Sequence, residues 1–206
     1  MSYRDDELLF YKADMHAALE SQRRAVASAV EEVSAKRIVD EPIEALVAEL
    51  AAKLQINLPQ LQEAEITVSP PREVSVDVSG DFRRAVYGRG PHMVKGTSVT
   101  FSVPFLGDRE LFYVRPTTFD SAPPRAKLRG NVLEVTYSGT DLGADDLKRR
   151  FAEFLSSVKK YLDWQSQSVT SFNNDLPKIA MERLSARKER LSQANDLVGS
   201  LGYKVK

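Results

Sequence analysis

The chain has 206 residues, and its 29 Lys and Arg residues balance 29 Asp and Glu residues, so the formal net charge is zero. A balanced charge provides no overall field that would draw the chain to nucleic acid or to a membrane, and any nucleic-acid site must be a local patch. There is no cysteine and there are two histidines, which excludes disulfides, thiolate catalysis and a zinc site of the usual Cys and His ligands.

Residues 3–36 have the apolar spacing of an amphipathic helix and contain neither Gly nor Pro. The acids at residues 5–7 suit the first turn of such a helix, and they are unlike the basic start of a signal peptide. No apolar run reaches the length of a membrane span, so we expect a cytoplasmic protein without a membrane partner. A second helix is predicted over residues 41–55, because Pro42 fits a first helical turn.

Residues 64–138 predict a mainly antiparallel sheet. Apolar and polar residues alternate over 98–105 and again over 133–137, which is the pattern of half-buried strands. Two shorter strands are expected at 64–68 and 73–79, on either side of a Pro-Pro pair. The fold class predicted is therefore α+β, an antiparallel sheet covered by long N-terminal and C-terminal helices.

The helical period returns after residue 144. An apolar stripe follows the spacing of one helix face, at Leu147, Phe151, Phe154, Val158, Tyr161 and Leu162. This stripe either covers the sheet or binds a partner helix, and its large aromatic residues favour the sheet. Beyond a polar centre at 165–168, the run 173–175 and Pro177 predict a break between helices at 144–172 and 176–201.

The predicted elements divide the chain into three segments. These are a helical segment (1–60), a β core (61–140) and a C-terminal helical segment or connector (141–206), which together form one α+β domain with a helical arm. A helix over 3–36 is about 50 Å long at about 1.5 Å per residue, longer than such a sheet needs. We therefore expect its overhang to pack on the last helix or on a second subunit, and we predict a homodimer.

The strongest local positive charge lies in a loop at residues 81–96. Its glycines let backbone amides approach an anion, and its tyrosine can stack on a base. The candidate anion-binding or nucleic-acid-binding residues are Arg83, Arg84, Tyr87, Arg89, His92 and Lys95. The alternative is a surface hairpin tip whose arginines pair with nearby carboxylates. The run 90–97 is not a phosphate-binding loop, because its Gly-Lys order is reversed and a strand follows.

No catalytic constellation is visible in the sequence. The paired acids at 5–6, 31–32 and 145–146 are adjacent on predicted helices, where neighbours do not share a face. The histidines are His16 on the first helix and His92 in the loop, too few for a metal site. We expect no catalytic residue, no metal site and no cofactor.

The C-terminal part carries a family resemblance. The features are Leu162 to Trp164, Phe172-Asn173, Leu176-Pro177, Arg187-Lys188, and Leu201-Gly202 followed by Lys204. With them, the last fifty residues resemble the segment that joins an N-terminal α+β region to a C-terminal restriction-endonuclease-like domain in bacterial defence proteins. The resemblance implies that this part senses, binds or assembles while a distal domain cuts DNA.

The resemblance does not extend to nuclease chemistry. That nuclease fold holds a divalent metal with a Glu-x-Lys motif on a core strand, and no Glu-x-Lys occurs in the 206 residues. An Asp-x-Lys, Asp146 to Lys148, lies at a predicted helix start instead. Nuclease activity is therefore not expected of this chain.

Three functions follow, in order of preference. The first is a non-catalytic sensor, binding or assembly module of an anti-phage defence protein, acting with a nuclease that is fused beyond Lys206 or encoded by a neighbouring gene. The second is a nucleic-acid-binding module that uses the 81–96 loop. The third is a metal-dependent or carboxylate-dependent enzyme.

Overall fold

The structure is a computed structural model that describes residues 7–80 and 90–200, except for the side chains of residues 198 and 199. The α-helices are α1 (Met15–Glu32), α2 (Ala35–Asp40), α3 (Ile43–Leu54) and α4 (Ala144–Ser200). The strands are β1 (Glu7–Leu8), β2 (Ala13–Asp14), β3 (Gln60–Leu61), β4 (Thr67–Val68), β5 (Arg72–Asp77), β6 (Met93–Leu106), β7 (Val114–Arg115), β8 (Arg125–Arg129) and β9 (Val132–Gly139). Short 3-10 helices span Glu63–Glu65 and Arg109–Tyr113.

The long strand β6 organises the main sheet. On one side it pairs with β9, and β8 and then β1 continue the sheet in that direction. On the other side it pairs in succession with β3, β4 and β5. All of these pairs are antiparallel, while β2 and β7 form a separate parallel pair. The predicted α+β class with a mainly antiparallel sheet is thus confirmed.

The chain divides into two compact units. We name the first the β unit; it comprises Met1–Asp14 and Leu58–Gln165. We name the second the helical unit; it comprises Met15–Asn57 and Ser166–Lys206. Helix α4 contributes its residues up to Gln165 to the β unit and its later residues to the helical unit. Each unit is built around its own apolar core.

The core of the β unit lies between the sheet and the first part of α4. The sheet residues Val103, Phe105, Leu133 and Val135 are buried against the aromatic and aliphatic stripe of the helix. The stripe contributes Phe154, Val158, Tyr161 and Leu162 to this core, with Leu147 and Phe151 packed beside them. Of the two interpretations of the stripe, the one in which it covers the sheet of its own domain is confirmed.

The helical unit buries one face each of α1, α3 and the second part of α4. Its fully buried residues include Val26 on α1, Leu46 on α3, and Leu176 and Leu184 on α4. Arg187 of α4 adds a polar contact, since its guanidinium donates a hydrogen bond to the backbone carbonyl of Val30 in the last turn of α1. The last carbonyls of a helix lack the N–H groups of a following turn, so a basic side chain at this position stabilises the helix end.

The N-terminal helix is shorter than predicted. It begins at Met15 rather than Tyr3, because residues 7–14 form β1, a turn and β2. Leu9 and Phe10 are fully buried in the core of the β unit, so tertiary packing overrides the helical preference of this segment. Ser34 then begins α2, since its hydroxyl accepts a hydrogen bond from the Arg37 N–H at 3.3 Å. The predicted single helix over 3–36 was therefore wrong.

The predicted break at 173–177 was also wrong, because α4 runs without interruption from Ala144 to Ser200 and contains Pro177. The side chain of Asn173 does not terminate the helix but joins it to the end of α3. Its amide Nδ2 donates to the Ile56 carbonyl at 2.8 Å, and its Oδ1 accepts from the Ile56 N–H at 2.9 Å.

Candidate binding site

The charged loop predicted from the sequence is only partly within the described residues. Arg83, Arg84, Tyr87 and Arg89 lie outside them, so their role stays a prediction. His92 and Lys95 are described, and both side chains are exposed. The His92 backbone N–H donates to Asp77 Oδ1 at 3.2 Å, and its carbonyl accepts from the Val78 N–H at 2.8 Å. These bonds join the end of the loop to β5.

A different site appears in the β unit, which we name the aromatic notch. It is a cavity of about 100 Å³. It is lined by Phe10, Tyr11, Arg115, Phe119, Pro123 and Tyr161, together with the polar residues Asp120 and Ser121. These residues come from the turn before β2, the end of β7, the connection between β7 and β8, and α4. The fold therefore brings together residues that are up to 151 positions apart (161 − 10).

The floor of the notch is buried and aromatic. Phe10 and Tyr161 are each 1% exposed, and their rings stack with centroids 4.8 Å apart. The Tyr161 hydroxyl donates to the Asp120 carbonyl at 2.9 Å and accepts from the Asp120 N–H at 3.2 Å. Burial raises the pKa of the Tyr161 phenol, so the hydroxyl stays protonated at neutral pH. Both of its hydrogen-bonding functions thus hold the Asp120 backbone in place.

The backbone at Phe10 is held in a conformation that bulky residues rarely adopt. Its φ is +55°, in the left-handed region, and such a conformation costs on the order of 1–3 kcal/mol for a residue with a side chain. Hydrogen bonds on both sides hold it there, from the Leu9 N–H to the Pro124 carbonyl at 2.9 Å and from the Phe10 N–H to the Phe112 carbonyl. Backbone strain of this kind is concentrated at binding and catalytic sites.

The rim of the notch is exposed and carries one arginine. Tyr11 is 61% exposed and Phe119 is 50% exposed. The Arg115 guanidinium lies over the Phe119 ring, 4.6 Å from its centroid. Asp120, which also lines the notch, forms an ion pair with Lys160 at 2.9 Å. Arg115 forms no ion pair with any of the described residues. The rim therefore combines two large exposed rings with a cation that retains its hydrogen-bonding capacity.

A wider groove of about 440 Å³ adjoins the notch, and Pro123 lines both. The groove runs between β9 and α4, past Tyr137, Arg150 and Glu153. Two of its charged residues are paired, since Arg150 contacts Asp146 at 3.6 Å and Glu153 contacts Arg149 at 2.9 Å. The notch and the groove therefore share Pro123 as a common wall residue.

Sequence reasoning missed the notch. Tyr11 falls in the segment predicted as helix, and residues 117–124 show only the pattern of a Pro-bearing connection. The signal in the sequence was weak. It consisted of Phe119, a large aromatic residue in a Pro-rich connection without an alternating pattern to bury it, close behind Arg115.

The fold and the notch define a protein of the α+β class with a preformed apolar recess. No protein-family model, curated protein or solved structure matches the chain. Within residues 7–80 and 90–200, no helix is both long and apolar enough to cross a membrane. The same residues contain no group of three or more His, Cys, Asp or Glu side chains arranged to hold a metal ion.

Proposed function

We propose that the chain is a non-catalytic binding or assembly module of a bacterial anti-phage defence protein, which acts together with a nuclease effector. The observation that carries the binding role is the aromatic notch, whose exposed Tyr11 and Phe119 flank an arginine above a buried aromatic floor. Tyr and Arg are among the residues that contribute most to protein interfaces. The defence role rests on the resemblance of residues 162–206, and cytoplasmic localisation and a homodimer belong to the same proposal.

Exposed aromatic rings at a preformed recess are better suited to binding than to covering the domain's own core. Large apolar side chains that stay in water leave favourable burial unrealised, about 25 cal/mol for each Å². The strained backbone at Phe10 adds an expense that the surrounding hydrogen bonds must offset. A partner that buries the two rings gains the free energy of burial that is unrealised in water. The cost of the strained backbone has already been met on folding, so the recess needs no rearrangement on binding.

The test is a phage challenge of bacteria that carry the native locus, including the effector. We expect the intact locus to reduce plaque formation, and the double substitution Tyr11→Ser/Phe119→Ser to abolish that protection. Val39→Ser on α2 is the matched control, because Val39 is 51% exposed and lies in the helical unit. Circular dichroism of each purified variant establishes that it is folded. Protection by the double variant equal to that of the wild type would contradict the proposal.

A second candidate, nucleic-acid binding, is favoured by the face of the sheet opposite α4. Alternation places Ser98, Thr100 and Ser102 of β6 on that face, and the strand register adds Arg72 of β5 and Lys127 of β8. The face is half-buried to exposed along these positions. Lysine, arginine and hydroxyl side chains are the usual partners of phosphate oxygens. Residues two apart on a strand are about 6.8 Å apart, close to the axial spacing of alternate phosphates at about 3.4 Å each.

Salt dependence distinguishes this candidate from the first. If the face binds a nucleic-acid backbone, Arg72→Gln/Lys127→Gln should lower the slope of log K against log salt by about 2, one for each phosphate contact. Fluorescence anisotropy with labelled duplex DNA and RNA measures it, and Arg24→Gln/Lys36→Gln in exposed positions of the helical unit is the control. Equal slopes for the two double variants would exclude the sheet face as the binding surface.

A further inference from the structure

We infer that the aromatic notch binds one aliphatic side chain of an extended segment of a partner protein, while Arg115 binds the carboxylate of an acidic residue beside it. The inference rests on the proposed binding role and specifies the ligand of the same site. The segment is internal to its protein and continues from the notch into the adjoining groove.

The size of the notch selects an aliphatic side chain. Its volume is about 100 Å³, smaller than the cavity of about 150 Å³ that accommodates a benzene ring in a protein core. A leucine or isoleucine side chain suits this space better than the larger ring of phenylalanine or tryptophan. The walls offer aromatic and proline surface from Phe10, Tyr11, Phe119 and Pro123, against which branched carbon chains pack well.

The hydrogen bonding of the floor selects an apolar group as well. The Tyr161 hydroxyl is the polar group at the base, and it is already donor and acceptor to the Asp120 backbone. A polar ligand side chain would lose its water without gaining a partner there, which is unfavourable. The floor therefore discriminates against Ser, Asn or Lys in favour of Leu or Ile.

Arg115 supplies the charge selection. Its Cζ lies over the Phe119 ring, 4.6 Å from the centroid, and among the described residues its N–H groups have no ion-pair partner, so they are available to a ligand. The edge of a guanidinium matches a carboxylate with two parallel hydrogen bonds. The carboxylate of Asp120 contacts Lys160 at 2.9 Å, so it is engaged elsewhere. A carboxylate from the partner complements the charge at the rim.

The groove beyond Pro123 indicates that the ligand is an internal segment rather than a chain terminus. A terminus bound by its own carboxylate at Arg115 would leave the groove of about 440 Å³ without an occupant. An extended segment places its next residues along Tyr137 and Arg150, which line that groove. The acidic residue adjacent to the aliphatic one then lies at the rim, within reach of Arg115.

The experiment titrates ¹⁵N-labelled protein with blocked tripeptides and follows the amide signals of Tyr11, Arg115 and Phe119. We expect acetyl-Glu-Leu-Glu-amide to shift these signals with a Kd of about 1 mM, as suits a ligand of this size. Acetyl-Gln-Leu-Gln-amide and acetyl-Glu-Ala-Glu-amide should each bind about tenfold or more weakly, through loss of the charge-assisted bonds or of the buried methyl groups. Equal binding of the three peptides, or no shift at the notch, would overturn the inference.

Two variants assign the selection to the residues named. Arg115→Gln should abolish the preference for the Glu peptide over the Gln peptide, and Phe119→Ala should abolish the preference for Leu over Ala. Arg24→Gln and Val39→Ala, at exposed positions of the helical unit that do not line the notch, should preserve both preferences. If Phe119→Ala loses the dispersed NMR spectrum of a folded protein, Phe119→Leu is used in its place. Retention of both preferences in the notch variants would place the peptide elsewhere.

The outcomes separate this inference from the proposed function. Loss of phage protection in the notch variant without tripeptide binding would mean that the notch takes a different ligand, and the inference would fail alone. If the protein binds the tripeptide selectively but its locus gives no protection against phage, the ligand chemistry is supported and the defence role fails.

Discussion

The substitution Gln165→Glu is expected to lower the free energy of unfolding by about 3–5 kcal/mol at neutral pH, the range for an uncompensated buried charge. Gln165 is fully buried, and its Nε2 donates to the carbonyls of Leu111 at 2.9 Å and Val114 at 2.6 Å. A carboxylate of the same shape would direct an oxygen at two other oxygens. Its Oε1 has no hydrogen-bond partner among the described residues, so the second oxygen would gain no compensation from them.

The destabilisation by this substitution should depend on pH with a definite sign. Burial and the two carbonyls raise the pKa of the introduced carboxyl above the unfolded value of about 4.3. Between the unfolded and folded pKa values the folded state binds more protons, so the stability of the variant relative to the wild type falls as pH rises. The slope reaches about 1.4 kcal/mol per pH unit. Below the unfolded pKa, the protonated carboxyl can donate to one carbonyl, and most of the loss should be recovered.

Denaturant unfolding at several pH values, followed by circular dichroism, measures this effect. Gln167→Glu is the matched control, since Gln167 is exposed on the same helix, and it should change stability by less than about 0.5 kcal/mol. Gln165→Met removes the two hydrogen bonds without adding charge, and should cost about 2 kcal/mol without the pH dependence. A pH-independent loss in Gln165→Glu would show that the introduced carboxyl reaches water.

Gln165 also illustrates what the sequence could and could not reveal. It belongs to the run 165–168, which has the pattern of a polar centre in a drifting apolar register. Burial of a glutamine is a tertiary event, since the carbonyls that it binds lie more than fifty residues away, at Leu111 and Val114. Local pattern cannot identify such a partner. The apolar stripe before it was predicted because every fourth or third position meets one sheet.

The strands were the most predictable part of the fold. Val99 to Phe105 alternate in the sequence, and Val103 and Phe105 are buried in β6 as the alternation implies. The helix prediction for the N-terminal segment was wrong because the local pattern there is ambiguous. Leu9 and Phe10 are equally compatible with a helix face and with a buried turn. The choice between the two depends on a sheet edge that forms more than a hundred residues later, at β8.

The candidate site was less predictable than the fold. The loop at 81–96 was found from its charge, and its residues His92 and Lys95 are exposed. The notch has no local signature, because Phe10, Arg115 and Tyr161 become neighbours only when the sheet and α4 are assembled. Its rim residues are ordinary in sequence and distinctive only in exposure and contact.

Pro177→Ala is expected to raise the stability of the helical unit by about 2 kcal/mol. A proline inside a helix removes one backbone hydrogen bond and costs about 3 kcal/mol relative to alanine. Pro177 lies within α4 and its side chain is exposed, so its removal leaves no cavity. The expected gain is smaller than about 3 kcal/mol, because proline also restricts the unfolded chain by about 0.4–1 kcal/mol.

The gain should be local, because the new N–H of residue 177 can donate to the carbonyl of Asn173 in the preceding turn. Amide hydrogen exchange should therefore slow most for residues 173–184 of α4, while thermal unfolding shifts to higher temperature. Lys178→Ala, at the neighbouring exposed position, replaces one good helix former with another and should change stability little. A loss of stability in Pro177→Ala would mean that the helix geometry imposed by proline is required for the burial of Leu176 against α1 and α3.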